Sequence, residues 1–297
     1  MPSWLYKQLS HGPSIQTSNT LSRNGSIVKV EKIENETSGI ISVLAQLIQQ
    51  DHGVSKAFLC HPTVRHIFKT PKEGGFCGYR NIQMMISFMQ GTDFPGHENF
   101  PGRTPSIITL QDLIERAWDQ GFNPTGRVET GGIRGTRKYI GTPEAQALFC
   151  SLDIPCEANA FNKSRTAPSG SEVHHQILQA ALEYFSTGVV GDQSVKVYQT
   201  GLAPIYFQHP GHSLTICGLE IHKSGRMNLL CLDPMFKTGP GMAKLVETKF
   251  KPVQYPEKLL KAYRRGYDYL GKYQSFEILK YVPVFLHFKN DANNVPG

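Results

Sequence analysis

Apolar side chains recur with helical spacing over the first two-thirds of the chain. Ile82, Met85, Ile86 and Met89 stand at i, i+3, i+4 and i+7, the spacing of one buried helix face, in a helix that would begin at or near Cys77. Similar spacing predicts further helices at 38–50, 110–118, 143–152, 173–186 and 257–270. The chain is therefore expected to be mainly helical up to residue 186.

The period changes to that of strands after a break at 188–192. Predicted strands follow at 203–207, 213–221, 227–232 and 276–288. The second and third are joined by the turn 222–226 as an antiparallel hairpin, and Gly218 marks a β-bulge in the first arm of that hairpin. Helices first and strands later predict an α+β fold, with helices packed around a central antiparallel sheet.

The chain has 297 residues, 39% of them hydrophobic, which is ample for a substantial core. We expect one domain over 27–290, between a disordered tail over 1–26 and a frayed end over 291–297. Neither a secretion signal nor an apolar run near twenty residues is present. These features predict a soluble monomer without a membrane partner, which is not secreted and resides in the cytoplasm, the nucleus or both.

Charge gives little support to a nucleic-acid partner. The formal net charge is +7, but the basic residues are scattered along the chain instead of forming one patch. Arg264 and Arg265 fall within the helix predicted at 257–270, where a solvated charged face is the expected role. Nucleic-acid binding is therefore the less favoured interpretation.

Cysteine usage argues against both a disulfide scaffold and a metal centre. Six cysteines are too sparse for a disulfide framework, so reduced thiols are expected. Cys150 with Cys156, and His174 with His175, do not supply the two close ligand pairs of a structural zinc site. No glycine-rich nucleotide loop is present either. We therefore expect no metal and no other cofactor.

Cys77 lies between a glycine turn and the start of a predicted helix. A thiol there feels unpaired N–H groups and the positive end of the helix dipole, which favour the thiolate. Gly74, Gly75 and Gly78 carry no Cβ, so a substrate backbone could approach closely. A buried structural cysteine is the alternative, but this position favours a nucleophile.

His212 and Asp233 are the best candidates for the partners of such a nucleophile. His212 opens one strand of the predicted hairpin and Asp233 follows the other, so antiparallel pairing would bring them together. If Asp233 accepts a hydrogen bond from one ring nitrogen, the other faces the thiol. Gln208 is a candidate oxyanion donor beside the backbone N–H of Cys77. Singly, such residues are commonly capping or turn residues, and only their joint placement favours catalysis.

An ordered set of motifs resembles those of a known family. The motifs are Gly75-Phe76-Cys77-Gly78-Tyr79-Arg80-Asn81, Ala117-Trp118-Asp119-Gln120-Gly121-Phe122, Gly135-Thr136-Arg137-Lys138-Tyr139-Ile140-Gly141, Gln208-His209-Pro210-Gly211-His212-Ser213 and Leu232-Asp233-Pro234. Over about residues 38–285 the chain resembles the ubiquitin-fold-modifier-specific cysteine peptidases, and most closely their zinc-finger-bearing deubiquitinase branch. The resemblance implies a papain-like fold, with Cys77 as nucleophile, His212 as base, Asp233 orienting it and Gln208 as oxyanion donor.

The resemblance also implies substrate-binding residues. Tyr139 and Gly141 match a segment that closes over the terminal Gly-Gly of the substrate, and Glu144 matches an acidic partner for the arginine ahead of it. Asn123 stands where this branch often has an acidic residue, which is expected to alter contact with the basic tail of the substrate.

Two departures shape the functional expectation. Asp233-Pro234-Met235 lacks the Asp-Pro-His box of modifier-specific and autophagy-type relatives, which favours the deubiquitinase branch, and the zinc-finger array of that branch is missing. We expect a deubiquitinating cysteine peptidase that cleaves the isopeptide bond after the C-terminal glycine of ubiquitin, with ubiquitin or polyubiquitin as partner. A protease for another ubiquitin-like modifier and an inactive ubiquitin-binding module are the alternatives.

Overall fold

The computed structural model describes residues 1–21, 25–163, 172–192, 194–248 and 252–282. The helices are α1 (Ser3–His11), α2 (Ile40–Gln50), α3 (Cys77–Thr92), α4 (Ile107–Asp119), α5 (Thr125–Thr130), α6 (Thr142–Cys150), α7 (Val173–Ser186), α8 (Pro240–Glu247), α9 (Pro256–Leu260) and α10 (Tyr267–Leu270), with a 3₁₀ turn at His97–Asn99. The strands are β1 (Ile15–Leu21), β2 (Ile27–Ile33), β3 (Glu36–Thr37), β4 (Val54–Leu59), β5 (His66–Ile67), β6 (Cys156–Asn162), β7 (Val197–Gln199), β8 (Ile205–His209), β9 (His212–His222), β10 (Met227–Leu232), β11 (Arg264–Arg265) and β12 (Ser275–Tyr281).

A sheet of eight strands forms the framework. Its main path is β11-β10-β9-β8-β12-β6, and β4 pairs with the second half of β9 and with β7. Only the β4–β7 pair is parallel among the described pairs of this sheet. The long strand β9 therefore carries β10 on one side and both β8 and β4 on the other. The α+β class predicted from the sequence is confirmed.

Helix α3 packs against β9 and is buried on every side from Cys77 to Met89. Two of its buried polar side chains are hydrogen-bonded to other parts of the fold. Arg80 donates from Nε to Oε1 of the buried Glu73 at 3.0 Å, and the Thr215 hydroxyl on β9 donates to Oδ1 of Asn81 at 2.9 Å. These bonds offset the cost of burying polar groups and fix the helix relative to the loop that precedes it.

The N-terminal region differs from the disordered tail predicted over 1–26. Helix α1 buries Leu5 and Leu9 against the core, and β1 pairs along its whole length with β2. The two leucines stand at i and i+4 on one helix face, which explains the helix. The side chains of β1 are largely exposed, so this strand is held by backbone pairing, which a polar composition does not reveal. The predicted boundary at 27 therefore falls within a hairpin, and the predicted frayed end at 291–297 lies outside the described residues.

The single helix predicted over 257–270 is wrong. The segment forms α9, the short strand β11 and α10, because the backbone turns to pair β11 with the edge of β10. Arg264 and Arg265 consequently point into the protein, with 15% and 11% of their side chains exposed, and not into solvent. Three acidic side chains, Asp51, Glu220 and Asp233, accept their hydrogen bonds.

Candidate active site

Cys77 is the first residue of α3 and is 7% exposed. Burial raises the pKa of its thiol, but hydrogen bonds with His212 and Ser213 and the positive charge of His212 outweigh burial and lower that pKa to about 7. The helix start adds a favourable environment for a thiolate. The predicted nucleophile therefore lies where a reactive thiol is stabilised in its charged form.

His212 and Asp233 meet as the hairpin pairing predicts. His212 is the first residue of β9 and Asp233 directly follows β10, so the antiparallel pairing of the strands places Nε2 of His212 2.8 Å from Oδ1 of Asp233. Since Nε2 is engaged with the carboxylate, Nδ1 is the ring nitrogen left for the Cys77 thiol.

The charges of these three groups support one another. Burial lowers the pKa of His212, but hydrogen bonds with Asp233 and Cys77 outweigh burial and raise it to about 9. Burial raises the pKa of Asp233, but its bond to His212, the positive charge of that ring and the backbone N–H of Met235 lower it to about 2. Between about pH 7 and pH 9, the site accordingly holds a thiolate, an imidazolium and a carboxylate.

Asp233 is held by two residues that the sequence analysis did not assign to the site. Nη2 of Arg265 donates to Oδ2 of Asp233 at 2.9 Å, and Nε2 of His66 lies 3.0 Å from the backbone carbonyl oxygen of Asp233. Burial lowers the pKa of His66 to about 4, so its ring is neutral and Nε2 donates. In the sequence, Arg265 is recognisable only as a basic residue, and no motif marks His66 as part of the site.

Gln208 borders the site from β8. It pairs in register with Ser213 across the β8–β9 hairpin and is half-buried. The Tyr206 hydroxyl lies 3.5 Å from Oε1 of Gln208, which directs the carbonyl end of this amide toward Tyr206. A methyl group built on Gly141 would lie 3.0 Å from Nε2 of Gln208, so the predicted oxyanion donor and the predicted substrate-binding glycine are neighbours.

The segment 137–141 lies directly over the loop that carries Cys77. The Arg137 guanidinium covers Gly74, the Tyr139 ring lies on Gly75, and the carbonyl oxygen of Ile140 would be 2.7 Å from a methyl group on Gly78. The three glycines were expected to admit a substrate backbone; in the structure they admit this segment of the same chain. Tyr139 remains 70% exposed while it covers Gly75.

Glu144 and Asn123 both lie next to Gly126. Oε2 of Glu144 accepts the backbone N–H of Gly141 at 2.7 Å, and Oε1 would lie 3.0 Å from a methyl group on Gly126. The carbonyl oxygen of Asn123 accepts the N–H of Gly126 at 3.0 Å. Glu144 is 9% exposed, so part of its role in the structure is to hold Gly141 at the start of α6.

One group of metal-ligating residue types exists among the described residues. Glu172, His174 and His175 have ligand atoms within 4.8 Å of one another, and Nε2 of His174 lies 2.9 Å from Glu172. Structural zinc sites use four protein ligands, and this group offers three.

The helices of the described chain are too short or too polar to cross a membrane.

The geometry defines a class of protein. A thiol at the start of a buried helix faces a histidine on a strand, and an aspartate orients that histidine, which is the arrangement of a papain-like thiol peptidase. Comparison with known families leads to the same class, because the model of peptidase family C78 matches residues 53–279. The chain belongs to peptidase family C78.

Two proteins are similar to this chain in sequence, and one solved structure aligns with it. Zinc finger-containing ubiquitin peptidase 1 of Mus musculus is 33% identical over 209 residues, which cover 70% of this chain and 35% of the relative. Ubiquitin carboxyl-terminal hydrolase mug105 of Schizosaccharomyces pombe is 28% identical over 190 residues, which cover 62% of this chain and 70% of the relative. The crystal structure of UfSP from C. elegans aligns with 80% of this chain and 36% of that chain, with a TM-score of 0.45 and 16% identity. The chain thus spans about a third of the length of the mouse relative.

Proposed function

We propose that this chain is a deubiquitinating cysteine peptidase that hydrolyses the isopeptide bond after the C-terminal glycine of ubiquitin, with polyubiquitin chains as substrates. The observation that carries the proposal is the contact between His212 and Asp233 beside a Cys77 thiol whose pKa is about 7. The two named relatives are a ubiquitin peptidase and a ubiquitin hydrolase, which supports ubiquitin as the modifier. All six cysteines are free, which supports action in the cytoplasm or nucleus.

In the first half of the proposed reaction, the Cys77 thiolate attacks the carbonyl carbon of the isopeptide bond. The tetrahedral oxyanion accepts hydrogen bonds from Nε2 of Gln208 and from the backbone N–H of Cys77 at the start of α3. Protonated His212 then gives its Nδ1 proton to the departing lysine amine, and a thioester remains on Cys77.

In the second half, neutral His212 takes a proton from water, and the resulting hydroxide attacks the thioester carbonyl. The ubiquitin carboxylate leaves and Cys77 returns to a thiolate paired with the imidazolium. Asp233 keeps Nε2 of His212 engaged throughout, so Nδ1 always faces the reacting atoms.

We place the C-terminal tail of the modifier beside Tyr139 and Gly141, next to Gln208. The Tyr139 ring then moves off Gly75 to cover the terminal Gly-Gly. An arginine ahead of the Gly-Gly would meet the residues around Gly126, where Glu144 supplies a carboxylate and Asn123 stands without a charge.

The proposal is tested with ubiquitin that carries a C-terminal electrophile. The native chain is expected to form a covalent adduct, Cys77→Ala to form none, and Cys150→Ala to react like the native chain, because Cys150 lies at the far end of α6 from Gly141. The same electrophile on other ubiquitin-like modifiers tests the substrate class. An adduct with another modifier alone would reassign the substrate, and no adduct with any modifier would leave a binding module as the better account.

A further inference from the structure

Two cysteines outside the candidate active site lie in contact. Cys150 ends α6 and Cys156 begins β6, and their sulfur atoms are 3.5 Å apart. Both residues are partly buried and keep some contact with solvent, whereas Cys60, Cys217 and Cys231 are fully buried. An aqueous oxidant can therefore reach the contacting pair in the folded protein, whereas the three buried thiols are shielded from it.

The backbone between the two thiols is fixed by hydrogen bonds. The N–H of Ile154 donates to the carbonyl of Phe149 at 3.0 Å, and the N–H of Asp153 to the carbonyl of Cys150 at 3.1 Å. On the other side, Pro155 accepts from the N–H of Val282 at 3.0 Å. With the Ile154 side chain fully buried, this turn holds the two sulfur atoms together before any bond forms between them.

One of the two thiols loses its proton more readily than the other. The hydrogen bond from Cys156 lowers the pKa of Cys150 to about 7, although burial opposes this shift. The same bond, together with burial, raises the pKa of Cys156. Near neutral pH, the Cys150 sulfur is therefore a nucleophilic thiolate in a substantial fraction of the molecules, while Cys156 keeps its proton.

We propose that Cys150 and Cys156 are a redox-active pair that a hydroperoxide converts to an intramolecular disulfide. The Cys150 thiolate attacks one peroxide oxygen, the O–O bond breaks, and a sulfenic acid and hydroxide form. The Cys156 sulfur then attacks the sulfenic sulfur, the S–O bond breaks, and the S–S bond forms. Two thiols lose two electrons and two protons, and hydrogen peroxide gains them to leave as two molecules of water.

The position of the pair separates it from the chemistry at Cys77. Helix α6 has nine residues, so its two ends are about 12 Å apart along the axis. Gly141, beside Gln208, precedes the first residue of this helix, and Cys150 is its last. A disulfide at the far end leaves Cys77 unmodified, so the oxidised pair marks a second reactive site on the same chain.

The test uses the full chain with Cys77→Ser, so that peroxide cannot act on the active-site thiol. After limited hydrogen peroxide at pH 7, and before any alkylation, the intact mass is expected to fall by two hydrogen atoms. Peptide mapping of the subsequently alkylated protein is expected to show Cys150 joined to Cys156. Dithiothreitol should reverse both changes. Because Cys150 is about half thiolate at this pH, against a few per cent for an ordinary exposed thiol, its oxidation is expected to be about tenfold faster.

Two further variants control the result. Adding Cys150→Ser to the Cys77→Ser chain should abolish the intramolecular disulfide. Adding Cys217→Ser instead, at a buried thiol away from the pair, should leave the disulfide intact. A cross-link that persists in Cys150→Ser would contradict the proposal. So would a folded protein, with native circular dichroism, in which Cys150 is oxidised to sulfinic acid without ever joining Cys156.

Discussion

Arg265 donates a hydrogen bond to Oδ2 of Asp233 at 2.9 Å, while Oδ1 of the same carboxylate faces His212 at 2.8 Å. The carboxylate is therefore fixed from both sides. The Arg265 guanidinium also lies over the Tyr269 ring, 5.0 Å from its centroid, so the arginine itself has little freedom. Arg265 acts on His212 only through Asp233, which makes it a positioning residue.

Replacing Arg265 with methionine is expected to lower kcat about tenfold with KM nearly unchanged, because a loosened Asp233 no longer orients His212. Breaking this buried pair should also reduce the free energy of unfolding by about 3–5 kcal/mol, measured by urea denaturation. Arg265→Lys keeps the charge and should recover part of both losses.

Arg264→Met is the matched control for that experiment. Arg264 is equally basic and similarly buried, but its partners are Asp51 and Glu220 and not Asp233. It should lose stability and keep kcat. An equal fall in kcat for both arginine variants would show that Arg265 supports the fold without a specific role at the site.

The pH dependence of kcat/KM should be bell-shaped. Activity rises as Cys77 loses its proton near pH 7 and falls as His212 loses its own near pH 9. In Asp233→Asn the alkaline limb should move to lower pH, because the carboxylate that raises the pKa of His212 is gone. An alkaline limb that stays in place would mean that Asp233 does not set the charge of this histidine.

Gln208→Ala is expected to lower kcat by about 10²–10³ with a small change in KM, because an oxyanion donor acts chiefly in the transition state. Steady-state hydrolysis of a fluorogenic ubiquitin amide measures both constants. Gln199→Ala, at an exposed position on β7, is the control and should behave like the native chain. A Gln208 variant that changes only KM would assign the residue to substrate binding.

Gly75→Ala and Tyr139→Ala test the contact between the loop that precedes Cys77 and the Tyr139 ring that lies on it. A methyl group on Gly75 would overlap the Tyr139 ring, so the ring must move, and since it is 70% exposed the stability cost should be small, under about 1 kcal/mol. Activity should fall in each single variant.

The double variant decides whether these two effects are linked. If Gly75→Ala acts by displacing Tyr139, then adding it to Tyr139→Ala should cause little further loss of kcat/KM, which a double-mutant cycle measures. Fully additive losses would show that the two positions act independently.

Helices α2, α3, α4, α6 and α7 and the central hairpin were predictable from the sequence because their apolar spacing is local. The helix predicted at 173–186 matches α7, and the strand at 227–232 matches β10. Asp233 and His212 could be paired because a short turn joins their strands, so sequence order fixes the antiparallel register.

Elements that depend on distant partners were not predictable in the same way. Strand β11 has two residues and exists because Arg265 and its neighbour pair with β10 and bind acidic groups brought there by the fold. Likewise, β1 is a polar segment stabilised by backbone bonds to β2. The role of His66 depends on a contact with residue 233, far along the chain, which no local pattern encodes.

The pairing of β9 with β10 contains one extra residue. Leu230 pairs with Gly218 and Cys231 with Ile216, so Cys217 has no opposite residue and the bulge lies one position from the glycine that the sequence suggested. Side chains alternate between the two faces of a strand, and an unmatched residue reverses that alternation for everything beyond it. The side of the sheet on which the His212 side chain lies is therefore set by the unmatched residue Cys217. If every residue from Gly218 back to His212, Cys217 included, paired regularly with β10, the imidazole would lie on the opposite side of the sheet.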